Sequence, residues 1–138
     1  MSVAVFPLGP LETNCYVVSN EDQAVAIDVG GDPAPVSRYL KEHSLELKAI
    51  CITHMHFDHL YGVAALAAET HATVFTPEKD KVIATTVHRT GRFVPVFLLS
   101  RNLNLSALSR EIKRNLPDLN AKFISVPGHN TGLCRLLL

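Results

Sequence analysis

Short apolar runs separated by polar turns dominate the first part of the chain. Residues 3–6, 15–19 and 24–29 have the length and the β-branched content typical of strands. The polar residues 20–22 between the second and third runs predict a turn, so these two strands are expected to form a hairpin. The pattern therefore predicts a β-meander at the start of the chain.

Helical and strand-like segments alternate after residue 30. Asp32 and Pro33 have the composition of a helix start, with Asp32 as the cap, and apolar residues then recur at helical spacing to about residue 42. The remaining predicted elements are strands at residues 47–52, 73–75, 93–99, 121–126 and 133–138 and helices at residues 60–71, 77–85 and 105–116, the last capped by Ser106. Alternation of this kind predicts one α/β layered domain over residues 1–138.

Composition and charge narrow the class of protein. The 138 residues are 47% apolar and 19% charged, which is typical of a single globular domain with its own core. Thirteen basic residues balance thirteen acidic ones, so charge gives no reason to expect nucleic acid or an anionic membrane as a partner. No apolar run resembles a signal peptide or reaches transmembrane length. Cys15, Cys51 and Cys134 lie in apolar runs, which predicts buried thiols in a reduced, cytoplasmic compartment.

The candidate chemistry is concentrated in residues 53–59, which read Thr-His-Met-His-Phe-Asp-His. Three imidazoles and one carboxylate follow a predicted strand directly, and this combination of ligands suits zinc, iron or manganese. Two histidines spaced two apart can bind one metal from a loop, whereas on a helix they would diverge by about 200°. The alternative is a surface loop that happens to be rich in histidine.

A second loop, around His129, has the same setting. His129 follows the predicted strand at residues 121–126 and the pair Pro127 and Gly128. Loops at the C-terminal ends of neighbouring strands can converge on one site, so His129 is a candidate further ligand. A loop histidine without a ligand role is the alternative.

These residues resemble the metallo-β-lactamase superfamily, and most closely its glyoxalase II-like (hydroxyacylglutathione hydrolase-like) branch. Residues 53–59 match the T-H-x-H-x-D-H signature of that family without a mismatch, and weaker similarities follow in order at residues 14–18, 26–31, 60–62 and 126–129. The resemblance implies an αββα sandwich with a metal site at one edge, between the sheets.

The resemblance also implies a role for each candidate residue. It implies that His54, His56 and His129 hold one metal, and that Asp58 and His59 hold a second. It further implies that Asp28 orients the site through hydrogen bonds without binding the metal itself. A helix cap or a turn residue is the open alternative for Asp28.

The chain departs from the family pattern in three places. Six residues follow Gly132, where the family continues with a segment that carries a bridging aspartate and a last histidine. Residues 129–132 read His-Asn-Thr-Gly instead of His-Thr-x-Gly, and residues 82–120 do not resemble the corresponding stretch. We therefore expect a sandwich that is incomplete at its C-terminus, with a second metal only if His71, His88 or another subunit supplies ligands. The uncovered apolar run at residues 133–138 predicts a homo-oligomer.

The expected function is metal-dependent hydrolysis of a small molecule. Three imidazoles and a water form a complete open zinc site, which supplies a metal-bound hydroxide at neutral pH, and Asp58 is placed to accept a proton. A thioester or another small ester is the expected substrate, and the preference for a thioester is implied by the resemblance alone. Two alternatives remain, namely a truncated member that binds metal without activity and an iron-dependent oxidoreductase.

Overall fold

The computed structural model describes residues 1–76 together with the short segments 105–107, 122–125 and 134–137. Its elements in chain order are β1 (Ser2–Leu8), β2 (Thr13–Asn20), β3 (Gln23–Ile27), α1 (Ala34–Glu42), β4 (Glu46–Cys51), a 3-10 turn (Phe57–His59), α2 (Val63–Thr70), β5 (Thr73–Thr76), β6 (Leu105–Ala107), β7 (Lys122–Ser125) and β8 (Cys134–Leu137). Neither helix in this part of the chain is long and apolar enough to cross a membrane.

Strands β1 to β6 form one sheet in their order along the chain, and β7 pairs with β8 in a second, two-stranded sheet. The first three strands are antiparallel, and the predicted hairpin of β2 and β3 is confirmed, with Asn20 opposite Gln23. Strands β3 to β6 run parallel, and α1 and α2 lie in the crossovers after β3 and β4. This mixed sheet with crossover helices confirms the predicted α/β class.

Side chains alternate across each strand, and both faces of the large sheet carry a cluster of buried residues. In β2, Cys15 and Val17 point into a cluster that also contains residues of both helices, among them Val36 and Leu66. The opposite face carries a second cluster, formed by Val18, Val25, Ile27, Ala49, Cys51 and Phe75. Cys15 and Cys51 are free and buried as predicted, and burial raises the pKa of the Cys15 thiol to about 12.

Three predicted helix starts need correction. Helix α1 begins at Ala34 with Pro33 as its cap, so Asp32 lies one residue outside, although its Oδ1 accepts a hydrogen bond from the Ala34 N–H at 3.0 Å. Helix α2 begins at Val63 and not at residue 60, because a separate 3-10 turn occupies residues 57–59.

The third correction concerns residues 105–107. Leu105 and Ser106 belong to strand β6, where Ser106 lies opposite Phe75 of β5, and the prediction of a helix start there is wrong. The edge of β5 has backbone groups free to pair with another strand, and this pairing with a distant segment is not visible in the local spacing of apolar residues. The rest of that predicted helix, and the segments predicted at residues 77–85 and 93–99, lie outside the described residues.

Candidate metal centre

The register of β3 and β4 brings the candidate residues together. These parallel strands end side by side, with Ile27 opposite Cys51, and the next residues of each strand therefore leave the sheet at the same edge. The Asp28 N–H donates to the Cys51 carbonyl at 3.0 Å, and the Ile52 N–H donates to the carbonyl of Phe75 in β5 at 2.9 Å. Asp28 and the loop that begins at residue 53 consequently face each other.

Asp28 fixes the first residue of the histidine loop at two points. Its Oδ1 accepts a hydrogen bond from the Thr53 N–H at 2.8 Å, and its Oδ2 accepts one from the Thr53 hydroxyl at 2.6 Å. Asp28 itself is 5% exposed and has a left-handed backbone with φ 57°, which aspartate tolerates better than most residues. The carboxylate thus bonds to the loop and not to the start of α1.

The three imidazoles of the loop lie against one another. The ring centroids of His54 and His56 are 4.5 Å apart, and those of His54 and His59 are 4.1 Å apart. His54 is buried, with its Nδ1 atom 3.0 Å from the Thr53 hydroxyl oxygen. The structure therefore assembles the three histidines that the sequence places in this loop.

His59 lies between two carboxylates. Its Nδ1 atom is 2.9 Å from Asp28 Oδ2, and its Nε2 atom is 3.4 Å from Asp58 Oδ2. The buried Nδ1 has no well-directed hydrogen-bond acceptor among the described residues, and its contact with Asp28 is an ion pair when the ring is protonated. Burial alone would lower the pKa of His59, but Asp28 and then Asp58 outweigh it and raise that pKa above its ordinary value.

Asp58 is held by a residue that the sequence did not indicate. The Thr13 hydroxyl at the start of β2 donates to Asp58 Oδ2 at 3.0 Å. Partial burial would raise the pKa of Asp58, but this hydrogen bond and the neighbouring His59 and His56 rings together lower it. Asp58 is therefore ionised at neutral pH.

Glycines allow the close approach of these segments. A Cβ atom on Gly30 would lie 1.8 Å from the Asp58 carbonyl oxygen and 3.2 Å from Thr13 Cβ. A Cβ atom on Gly62 would lie 2.0 Å from the carbonyl oxygen of Gly31. The loop after β3 and the 3-10 turn can pack this tightly only because these positions have no side chain.

The donor set fits a divalent cation, although a complete ligand shell is not contained in the described residues. Three imidazoles and one carboxylate crowd one loop, and the Nδ1 atoms of His54 and His59 are turned towards Thr53 and Asp28. Within residues 1–76, no three histidine, cysteine or acidic side chains are already arranged around one metal position.

The further predicted ligand, His129, lies outside the described residues, as does His88. His71 follows the last residue of α2, roughly 12 Å along the helix from its start, so the structure does not bring it to the cluster.

An apolar cavity of about 370 Å³ opens beside Asp58. Its walls include Leu11 of the turn between β1 and β2, together with Phe57, the first residue of the 3-10 turn, and Tyr61, which follows that turn. These three side chains are 57–61% exposed, which is unusual for large apolar groups that lie close together. Cavities of about this size bind small molecules in many proteins.

Comparison with known proteins gives a consistent result. The family model of the metallo-β-lactamase superfamily matches residues 8–133. A hydroxyacylglutathione hydrolase of Albidiferax ferrireducens is 35% identical over 122 residues, which are 87% of this chain and 40% of that protein. A probable metallo-hydrolase of Bacillus subtilis, YqgX, is 23% identical over 128 residues, which are 91% of this chain and 60% of that protein. The chain thus spans about half the length of these relatives.

Solved structures agree with the sequence comparison. The crystal structure of the B3 metallo-β-lactamase BLEG-1 aligns with 98% of this chain and 66% of its own, with a TM-score of 0.79 and 28% identity. The structure of TTHA1623 in a di-iron-bound form aligns with 97% of this chain and 66% of its own, with a TM-score of 0.73 and 25% identity. The resemblance found in the sequence is confirmed, and the chain belongs to the metallo-β-lactamase superfamily.

Proposed function

We propose that this chain is a metal-dependent hydrolase of a small ester or thioester. The observation that carries the proposal is the clustering of His54, His56, His59 and Asp58 on one loop that Asp28 holds in place. Hydrolase relatives in the superfamily, among them hydroxyacylglutathione hydrolases, support the reaction class and suggest a thioester.

We assign the metal ligands as the sequence predicted them. His54, His56 and His129 would hold one divalent cation, and Asp58 with His59 would contribute to a second position. When bound, such a cation supplies a Lewis acid for the substrate carbonyl and lowers the pKa of water. Zinc suits this set of ligands, and iron or manganese also accepts nitrogen and oxygen ligands.

Asp58 is the residue that takes a direct part in the proposed reaction, as a proton acceptor. Its pKa is held below the ordinary value, so its carboxylate is available at neutral pH to accept a proton from attacking water. The Thr13 hydroxyl holds one carboxylate oxygen, which restricts the rotation of a side chain that is otherwise partly exposed. The apolar cavity next to Asp58 would receive the acyl part of the substrate.

Iron chemistry is the second candidate function. The structural relative TTHA1623 is described in a di-iron-bound form, and it is one of the structures most similar to this chain. An iron-dependent oxidoreductase is therefore kept as the alternative, together with a metal-binding member without activity. A visible absorption spectrum of protein purified without added zinc separates the iron alternative, because a colourless protein that contains only zinc would contradict it.

The test of the hydrolase proposal compares Asp58→Ala with the parent chain. We expect one or two metals per parent chain by elemental analysis and hydrolysis of a simple thioester. Asp58→Ala should keep at least one metal and lose turnover, whereas Asp22→Ala, an exposed aspartate in the hairpin turn, should change neither. A protein that takes up no zinc, manganese or iron, or that hydrolyses no thioester, lactone or phosphodiester when loaded, would refute the proposal.

The predicted homo-oligomer stays a prediction. Strand β1 lies at the edge of the large sheet, and its residues Val3 and Val5 are 51% and 48% exposed, which supports association through this edge. Sedimentation velocity at two protein concentrations tests it, and a monomer at both would contradict it.

A further inference from the structure

The Thr53 hydroxyl lies between a carboxylate and an imidazole. Its oxygen is 2.6 Å from Asp28 Oδ2 and 3.0 Å from His54 Nδ1. The Thr53 N–H donates to the other Asp28 oxygen at 2.8 Å, so the residue is bound to Asp28 at two points. Because threonine is β-branched, its χ1 angle has few alternatives, and the hydroxyl has little freedom to leave this position.

A hydroxyl has a single proton, and its two neighbours compete for it. The Thr53 N–H and the Thr53 hydroxyl both donate hydrogen bonds to the Asp28 carboxylate. Asp28 therefore acts as the acceptor, and the hydroxyl proton lies on the 2.6 Å contact with Oδ2. The opposite arrangement would place two oxygen lone pairs against each other at that distance, which is unfavourable.

The contact with His54 must then have the opposite direction. With its proton engaged, Thr53 Oγ1 can only accept, so His54 Nδ1 is the donor and carries a hydrogen. A neutral imidazole has one N–H, which leaves Nε2 without a proton. We propose that Thr53 is a positioning residue, whose hydroxyl, oriented by Asp28, fixes His54 in the tautomer that presents Nε2 to a metal.

This inference rests on the proposed role of His54 as a metal ligand, and it adds a residue to the site. A metal ligand must offer an unprotonated nitrogen, and partners that orient histidine ligands change metal affinity by roughly 10–100-fold. Without the hydroxyl, the His54 ring would lose this acceptor at Nδ1, and its preference for the Nδ1–H tautomer would weaken. Thr53→Val removes the hydroxyl with almost no change in shape, and Thr53→Ser retains it.

The first measurement reads the tautomer directly, without metal and without activity. Long-range ¹H–¹⁵N correlation spectra of the metal-free full chain at mildly alkaline pH, where free imidazole is neutral, distinguish a protonated from an unprotonated ring nitrogen. The signals of His54 are identified by their absence in His54→Gln. We expect Nδ1–H in the parent chain and in Thr53→Ser, and a larger share of the Nε2–H tautomer in Thr53→Val.

The second measurement is zinc affinity by competition with a chelator. Thr53→Val should bind zinc about 10-fold more weakly, and Thr53→Ser should restore the affinity. Thr76→Val is the control, because it makes the same substitution at a buried threonine whose hydroxyl has no hydrogen-bond partner within the described residues. It should change neither the spectrum nor the affinity.

Two outcomes would overturn the inference. One is Nε2–H in the parent chain, and the other is a Thr53→Val protein with the parent tautomer and the parent zinc affinity. A parent chain that binds no zinc at all would refute the proposed function instead, and the spectra would still decide the tautomer.

Discussion

Gly30→Ala tests whether the absence of a side chain at residue 30 builds the candidate metal centre. The added Cβ would lie 1.8 Å from the Asp58 carbonyl oxygen, whereas real Cβ atoms are essentially never closer than 3.0 Å to such an atom. The 3-10 turn must therefore move by at least about 1.2 Å relative to the loop after β3. The same methyl group would lie 3.2 Å from Thr13 Cβ, so it also presses on the residue that holds Asp58.

The substitution should lower both the stability of the fold and its affinity for metal. Overpacking of a tight interior costs about 1–3 kcal/mol of unfolding free energy. For a domain of this length each kcal/mol corresponds to roughly 3–6 °C, so we expect the melting temperature to fall by about 3–18 °C. The affinity for metal should fall strongly as well, because ligand distances tolerate errors of only about 0.2 Å. Asp58 and His59 both lie on the displaced turn.

The assay combines differential scanning calorimetry of the metal-free protein with zinc titration of the same sample. Ala68→Ser is a suitable control, because it also adds one heavy atom but at an exposed position of α2. A Gly30→Ala protein with the melting temperature and zinc affinity of the parent would show that the contact with the Asp58 carbonyl does not organise the site.

Three further predictions concern the same cluster. Thr13→Val should raise the pKa of Asp58 in the metal-free protein, because the hydroxyl that donates to its carboxylate is lost. The ionised Asp58 stabilises the fold above a pH of about 3.9, and in the variant this stabilisation should disappear at a higher pH on acidification than in the parent. An unchanged carboxyl titration by NMR would contradict this. Because the pKa of His59 is raised in the folded protein, its contribution to the free energy of unfolding is fully present below a pH of about 6.5 and is lost as the pH rises through the pKa of the folded state. Asp28→Asn should flatten this dependence when melting temperatures are measured against pH, and an unchanged dependence would contradict it. Tyr61→Ala should raise KM for esters with apolar acyl groups several-fold with little change in kcat, because the ring lines the cavity and has no part in the proposed chemistry. Equal KM values for long and short acyl chains in both proteins would argue against an acyl site there.

The parts of the site that the sequence revealed are those encoded locally. His54, His56, Asp58 and His59 lie within six residues, and a spacing of two after a strand already indicates a loop and a metal. Asp28 was indicated by the family resemblance, and the structure adds its contacts with Thr53 and His59. The proposed role of His129 remains a prediction, since it lies outside the described residues.

The contacts that the sequence did not reveal depend on register and close packing. Thr13 and Asp58 are 45 positions apart, and their hydrogen bond depends on the pairing of strands and not on any local pattern. A threonine at the start of a strand has no feature that separates it from other strand threonines. Gly30 belongs to a recognised turn, but only the folded structure shows that the Asp58 carbonyl occupies the place a side chain would take.

The strand order also has a consequence for how the chain folds. Strands β1 to β4 are neighbours in the sheet in the order in which they are synthesised, so each new strand pairs with one that is already present. Such short loop closures cost little entropy and favour rapid folding. Every contact that joins Asp28, Thr53 and the loop histidines to one another lies within the first 59 residues. This half of the site can therefore form early during translation, with its imidazoles already oriented before residue 129, the proposed further ligand, is synthesised.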